Sequence, residues 1–169
     1  MAKKLIKRFM PDQQAIKDNK CLKVFGSLLH NPNLWHLNRH SVAKAFAVGL
    51  FFAFMPVPFQ MILAAAAAII LHANLPLSVA LVWLTNPFTM PFIFYGCYLV
   101  GTLILGVRER SFQFEASWQW VIDSLSTIGP AFLLGCGVLA LLFSVLGYFT
   151  IQMLWRYQTI KAWQKRPHK

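Results

Sequence analysis

The residues best placed to do chemistry are a few polar side chains that lie beside prolines inside long apolar segments. They occur in two short motifs, which read Phe54-Met-Pro-Val-Pro-Phe-Gln60 and Thr85-Asn-Pro-Phe-Thr-Met-Pro91. The candidate ligand-binding residues are the polar side chains and prolines of these motifs: Gln60, Asn86, Thr89, Pro56, Pro58, Pro87 and Pro91.

The chemistry that these motifs offer is hydrogen bonding. Each proline lacks a backbone donor and disrupts the preceding helical turn, so each motif should break a helix. A helix that restarts after a break points a partial positive charge at the break, which favours an anion. The alternative interpretation is that the polar side chains only satisfy the backbone groups that the prolines set free.

Catalysis is not expected, because it needs a titratable group, a nucleophile or a metal. The chain has no carboxylate between Asn19 and Arg108, and Lys44 is the only charged residue in 42–107. His36 and His40 are four residues apart, but no third ligand with suitable spacing is evident. The three cysteines form no CxxC motif and read as small buried hydrophobes. We therefore expect no catalytic residue, no metal and no cofactor.

Composition and charge indicate an integral membrane protein. Hydrophobic residues make up 57% of the chain and charged residues only 12%, whereas soluble domains carry about 25% charged residues. The net charge is +11, and most of the 16 Lys and Arg residues lie before Ala45 or after Leu154. Basic ends around an apolar middle are typical of cytoplasmic flanks that contact anionic lipids, and not of a nucleic-acid groove.

The predicted fold class is all-α, a polytopic helical membrane protein with proline-broken or re-entrant helices. The N-terminal part is expected to form an amphipathic helix, which lies either on the membrane surface or on the rest of the protein. The predicted parts are a basic amphipathic region 1–41, a membrane domain 42–155 and a basic cytoplasmic tail 156–169. Within the membrane domain we expect a hairpin 42–73, a broken span 75–107, an external loop 108–128 with a short interfacial helix, and an unbroken span 129–154.

The topology follows from the length of the segments. Two basic ends place both termini in the cytoplasm, so the number of crossings is even. Each arm of segment 42–73 has about 13 residues and covers ~20 Å, less than the ~30 Å hydrocarbon core. We therefore predict that this segment returns to its own side as a hairpin, which leaves two crossings. The alternative topology has four crossings, and it differs from the first in the depth of Pro56 in the membrane.

The two motifs also carry a family resemblance. The runs GLFFAFMPVPFQMILAAAAA and NLPLSVALVWLTNPFTMPFIFYGCYLVG, with the approach NPNLWHLNR, resemble a bacterial membrane family, domain-of-unknown-function family two thousand and sixty-two. The pairing of PxPxQ with NPxTxP is the signature of this resemblance. It implies the bacterial inner membrane as location and brings no activity with it.

Two functions fit the pattern. The first is an inner-membrane protein that binds or translocates an anionic or lipid-linked solute at the paired breaks. The second is a non-transporting scaffold or accessory subunit of an envelope-assembly complex. The expected partners are anionic lipids at the cytoplasmic face and either another membrane protein or a second copy of the chain, with no role for nucleic acid.

Overall fold

The computed structural model describes residues 34–35, 37–106 and 118–164, with 118–127 and 162 described by their backbone only. The regular structure of this part is helical, which confirms the predicted all-α class. The helices are α1 (Arg39–Phe54), α2 (Gln60–Ile70), α3 (Leu75–Val82), α4 (Met90–Leu105) and α5 (Trp118–Gln164). The predicted N-terminal amphipathic helix, residues 108–117 of the external loop and the last residues of the tail lie outside the described residues.

Asparagine side chains begin two of the helices. Asn38 Oδ1 accepts a hydrogen bond from Ser41 N at 2.7 Å, which caps α1. Asn74 Oδ1 accepts from Leu77 N at 3.1 Å and caps α3, whose first turn contains Pro76. An asparagine before a helix satisfies an amide that has no partner inside the helix, and proline in the first turn loses nothing. Local sequence therefore fixes both helix starts.

Helices α1 and α2 form an antiparallel hairpin. Gln60, which begins α2, bonds back to Met55, just after the end of α1. At the other end Lys44 Nζ, on the second turn of α1, donates to Leu71 O, just after the end of α2, at 3.0 Å. The alanines of α2 that lie in its buried face have no exposed surface: Ala64, Ala65 and Ala68. Small side chains allow this close approach between helices.

Helix α3 reverses the chain again and runs beside α1. Asn74 N donates to Ser41 O at 3.1 Å, so α3 begins at the level where α1 begins. Val82, its last residue, shares a buried cluster with Val48 of α1 and Ala64 of α2. The hairpin and α3 therefore form one packed unit around buried apolar side chains.

Helix α5 is the long helix against which α1 and α4 pack. Phe54, at the end of α1, stacks on Phe143 with 4.7 Å between ring centroids. Arg39 Nε, at the start of α1, donates to Gln152 Oε1. The two helices are therefore antiparallel, and α1 lies along the C-terminal half of α5. Helix α4 lies along the other half, since Phe94 of α4 packs edge-to-face on Phe132 at 5.3 Å.

Helices α4 and α5 are in backbone contact at two glycines. A Cβ atom added to Gly135 would lie 1.8 Å from Cys97 O, and one added to Gly101 would lie 1.7 Å from Ala131 O. Cys97 and Cys136 are fully buried at this contact, and their thiols are free. Only hydrogen fits in place of a side chain at both glycines, so they set the distance between the two helices.

Helix α5 is longer than the predicted span 129–154. The sequence predicts a short separate helix before Gly129-Pro130, but α5 begins at Trp118 and continues through Pro130. A single proline inside a helix removes one donor and bends the helix without necessarily ending it. The helix can therefore continue here, whereas the paired prolines of the first motif end one.

One helix in the described residues is long and apolar enough to cross a membrane. It is the part of α5 from Ile128 to Lys161, 34 residues with a mean hydropathy of 2.3 in its most apolar window, of which only 17% is buried. At 1.5 Å per residue this part is ~51 Å long, more than the ~30 Å hydrocarbon core. Helices α2 and α4 are apolar but shorter.

The glycine contact predicts that two glycine-to-alanine substitutions on α5 differ strongly in their effect on stability. Gly135→Ala should destabilise the fold by about 2 kcal/mol or more, because the new methyl group meets the backbone of α4. Gly137→Ala is the matched control, since a Cβ there meets nothing within 4 Å. Thermal unfolding in detergent measures both variants. Equal midpoints for the two would contradict the backbone contact.

Candidate functional site

The two proline motifs meet in the folded chain. Thr85 Oγ1, at the start of the second break, lies 3.4 Å from Gln60 Oε1, at the end of the first break, and its hydroxyl also lies 3.1 Å from Val82 O. The end of α1 and the first half of α4 share one buried cluster with α5, formed by Ala53, Phe54, Cys97, Cys136 and Ala140. The breaks therefore lie beside the central part of the long apolar stretch of α5.

The first break is closed by its own side chain and backbone. Gln60 Nε2 donates to Met55 O at 2.7 Å, across the two prolines. Val57 N donates to the same carbonyl at 2.9 Å. Phe59 has a left-handed backbone conformation with φ 59°, which turns the chain so that α2 can begin at Gln60. Such a conformation is unusual for a residue other than glycine, and here it allows the reversal of direction.

The second break is closed by a reciprocal cap. Asn86 Oδ1 accepts from Phe88 N at 2.9 Å and from Thr89 N at 3.0 Å. In return Asn86 N donates to Thr89 Oγ1 at 3.1 Å. Met90 N donates to Asn86 O at 2.8 Å, which closes a turn from Asn86 to Met90, where α4 begins. The cap therefore orders the turn that leads into α4, whose own first turn contains Pro91.

Thr89 also satisfies the end of the preceding helix. Its Oγ1 lies 2.5 Å from Leu84 O, just beyond α3, and donates to it. Thr89 is therefore shared by the helix that ends and the helix that starts.

The predicted site residues fall into two groups. Gln60, Asn86 and Thr89 are half-buried and engaged with nearby backbone, and Gln60 contacts the second break through Thr85. Of the prolines, Pro56 is half-buried, while the other three are exposed: Pro58, Pro87 and Pro91. The polar side chains thus act on the breaks themselves, which is the alternative interpretation of the motifs.

Sequence reasoning did not select two features of this region. Thr85 is not among the candidate residues, although its hydroxyl contacts Gln60 across the two breaks. Its position directly before Asn86-Pro87 could have identified it. The second feature is a set of aromatic side chains around the breaks with 67% to 87% of their surface exposed: Phe59, Trp83, Phe88 and Phe92. We call this set the aromatic rim.

A comparison with known families is now informative. A family model described as an uncharacterized protein conserved in bacteria (DUF2062) matches residues 22–164. The chain belongs to this family. No curated protein and no solved structure matches the chain. The matched range contains both breaks and all of the described residues, so the described part of this DUF2062 fold consists of the α1–α2 hairpin, the broken α3–α4 segment and α5.

The chemistry available at the breaks of this DUF2062 chain is limited to hydrogen bonding and packing. The described side chains include no Asp or Glu. Groups of three or more His, Cys, Asp or Glu that could hold a metal are also absent from the described residues. Among the break residues, the groups available to a ligand are amides, hydroxyls, backbone carbonyls and aromatic rings.

The reciprocal cap predicts how the second break responds to substitution. Asn86→Ala should destabilise the fold by about 1–2 kcal/mol, because two amides lose their acceptor. Asn86→Ser is the control, since a serine hydroxyl also caps a helix and should retain most of the stability. Thermal unfolding in detergent compares the two. Equal loss in both variants would mean that the amide group serves something other than the cap.

Proposed function

We propose that this DUF2062 protein is a multi-pass protein of the bacterial inner membrane that acts as a non-transporting scaffold for another helical membrane protein. The paired breaks carry this proposal. They lie beside the central part of α5, and the aromatic rim around them is exposed on the isolated chain. Support comes in two steps, from topology and from the exposed surface.

In the proposed topology, α5 crosses the membrane once, and α3 and α4 together form the second crossing. Helix α1 has 16 residues and α2 has 11, so they cover ~24 Å and ~17 Å, both shorter than a ~30 Å hydrocarbon core. Both ends of this hairpin meet near Lys44 and Leu71. We therefore place the hairpin as a re-entrant element with Pro56 and Pro58 near half-depth. The basic ends of the chain place both termini in the cytoplasm.

This topology predicts which positions a membrane-impermeant thiol reagent reaches from outside the cell. In a variant with the three native cysteines replaced by alanine, Leu105→Cys at the end of α4 should be labelled from the periplasmic side. Leu71→Cys should be labelled only after the membrane is permeabilised. Val57→Cys should stay unlabelled from outside, because the hairpin does not reach that surface. Labelling of Val57→Cys as fast as Leu105→Cys would support four crossings instead.

The scaffold role follows from the exposed breaks. Irregular backbone is tolerated at membrane depth only where protein covers it or where it lines a water-filled cavity. The polar side chains at these breaks are already bonded to nearby backbone, while Pro58, Pro87 and Pro91 are exposed. An apolar, aromatic surface without charged side chains suits a neighbouring apolar helix better than a hydrated solute. We infer that a membrane-protein partner covers the aromatic rim.

A photo-crosslinking amino acid at Phe88 tests the scaffold role in intact cells. Phe88 is 87% exposed in the aromatic rim, so we expect a specific protein adduct, either with another membrane protein or with a second copy of the chain. Leu141 on α5 is the control, because it is 60% exposed and is not part of the aromatic rim. Adducts with lipid alone at both positions would contradict the proposal.

Solute binding is the second candidate, and the contact between Thr85 and Gln60 favours it because it joins the breaks into one place. A solute would have to displace the hydrogen bonds that now close the breaks. The Asn86→Ser variant distinguishes solute binding from the scaffold role. The serine keeps the cap, so the abundance of the protein in the membrane should not change. If the function depends on contact between a solute and the Asn86 amide, the function should be lost. A scaffold retains its function in the same variant.

A further inference from the structure

The end of the bundle where α1 begins holds a group of basic side chains. They are Arg39, His40 and Lys44 on α1 and Arg156 on α5, and we call them the basic cluster. Gln152 joins its two helices, since its Oε1 accepts from Arg39 Nε and its Nε2 lies 3.5 Å from His40 Nδ1. Arg156 follows Gln152 by four residues on α5, which places it one turn farther along the same face.

The basic cluster has only neutral partners among the described residues. Arg39 donates to the amide of Gln152, and Lys44 donates to Leu71 O at 3.0 Å. Leu71 directly follows the C-terminal end of α2. The partial negative charge at that helix end compensates only part of the Lys44 charge. The described side chains include no carboxylate that could neutralise the rest. A half-buried guanidinium such as that of Arg39 gains from an anion that approaches its free N–H groups.

Ser41 is a buried polar residue in the same turns of α1. It lies between His40 and Lys44 in the chain, is only 4% exposed, and its Oγ has no hydrogen-bond partner in the described part of the chain. Its backbone is fully used, because Ser41 N donates to Asn38 and Ser41 O accepts from Asn74. A buried hydroxyl without a partner is costly.

The surroundings of the basic cluster are apolar and aromatic. On α5 next to Gln152 lie side chains that expose half or more of their surface: Phe149, Met153 and Leu154. Trp155 follows them and packs against the buried cluster that contains Val42 and Ala43. A charged headgroup site beside exposed apolar side chains and tryptophan is typical of a membrane interface.

We propose that the basic cluster binds the phosphate of an anionic phospholipid headgroup, with the acyl chains along the exposed side chains of α5. The proposal rests on the proposed function for the position of the bundle in the membrane. It deepens that function, because a bound headgroup would hold α1, the end of α2 and α5 together at the cytoplasmic face. A free phosphate ion would use the same cations but would gain nothing from the apolar neighbours.

The test is a binding titration of the full chain, purified in a neutral detergent. The probes are short-chain phosphatidylglycerol, short-chain phosphatidylcholine and inorganic phosphate. We expect phosphatidylglycerol to bind at least about tenfold more tightly than the other two probes, since a cation near an anionic lipid contributes roughly fivefold in affinity.

Charge-removing variants assign the binding to the cluster. Lys44→Gln should weaken phosphatidylglycerol binding about fivefold, and Arg39→Gln combined with Lys44→Gln about 25-fold. Lys161→Gln is the matched control with the same change in charge, because Lys161 lies farther along α5 over the Tyr157 ring, and it should change affinity less than twofold. Lys44→Gln removes one exposed hydrogen bond, so helicity measured by circular dichroism should stay unchanged.

Three results would overturn the proposal. The first is equal affinity for phosphatidylglycerol and phosphatidylcholine. The second is an equal loss of phosphatidylglycerol affinity in the Lys44→Gln and Lys161→Gln variants. The third is inorganic phosphate that binds as tightly as the lipid, which indicates an adventitious ion only. Failure of the proposed membrane topology is recognised separately. It would appear as extraction of the wild-type chain from membranes by alkaline carbonate, whatever the titration shows.

Discussion

The need to satisfy backbone groups where prolines interrupt helices is the constraint on which this fold depends. Where surroundings are apolar, water does not take up a free amide or carbonyl, so each break must contain its own acceptors and donors. The chain meets this with one side chain at the first break and two at the second. Gln60 reaches back over two prolines to Met55, while Asn86 and Thr89 bond each other's backbone. The breaks are therefore ordered elements and not gaps in helices.

The breaks in turn make the arrangement around α5 possible. Because the chain reverses after Phe59, α1 covers only the C-terminal half of α5 and leaves the other half to α4. The backbone contact of Gly135 with Cys97 and of Gly101 with Ala131 then fixes α4 in that position. A straight helix in place of α1 and α2 would occupy the whole length of α5 and exclude α4. Proline breaks and glycine contacts are thus two parts of one packing solution.

Local chemistry explains how much of this could be predicted from the sequence. Asn86 followed by Pro87 specifies a capped turn, and the structure contains one directly before α4 begins at Met90. The two prolines predict that the helix ends near Pro56, and the structure shows α1 ending at Phe54 and the chain reversing into α2. The contact between Thr85 and Gln60 was not predictable, because it depends on how α2 and α3 pack. The helix boundary expected at Gly129-Pro130 is absent, since the effect of a proline depends on whether the neighbouring turns hold the helix together and not on the proline alone.

The distribution of charge limits what the paired breaks can do. Residues 45–106 contain no Asp, Glu, Lys or Arg, so the two breaks and the broken segment have no charged side chain that could pair with an ion. Specificity in this part of the molecule must come from shape and from hydrogen bonds, and the structure already uses the side-chain hydrogen bonds to close the breaks. The basic side chains described in the structure lie instead toward one end of the bundle, on the first turns of α1 and the last turns of α5. Recognition of an anion therefore belongs at that end, while the breaks supply an uncharged surface whose natural counterpart is another apolar helix.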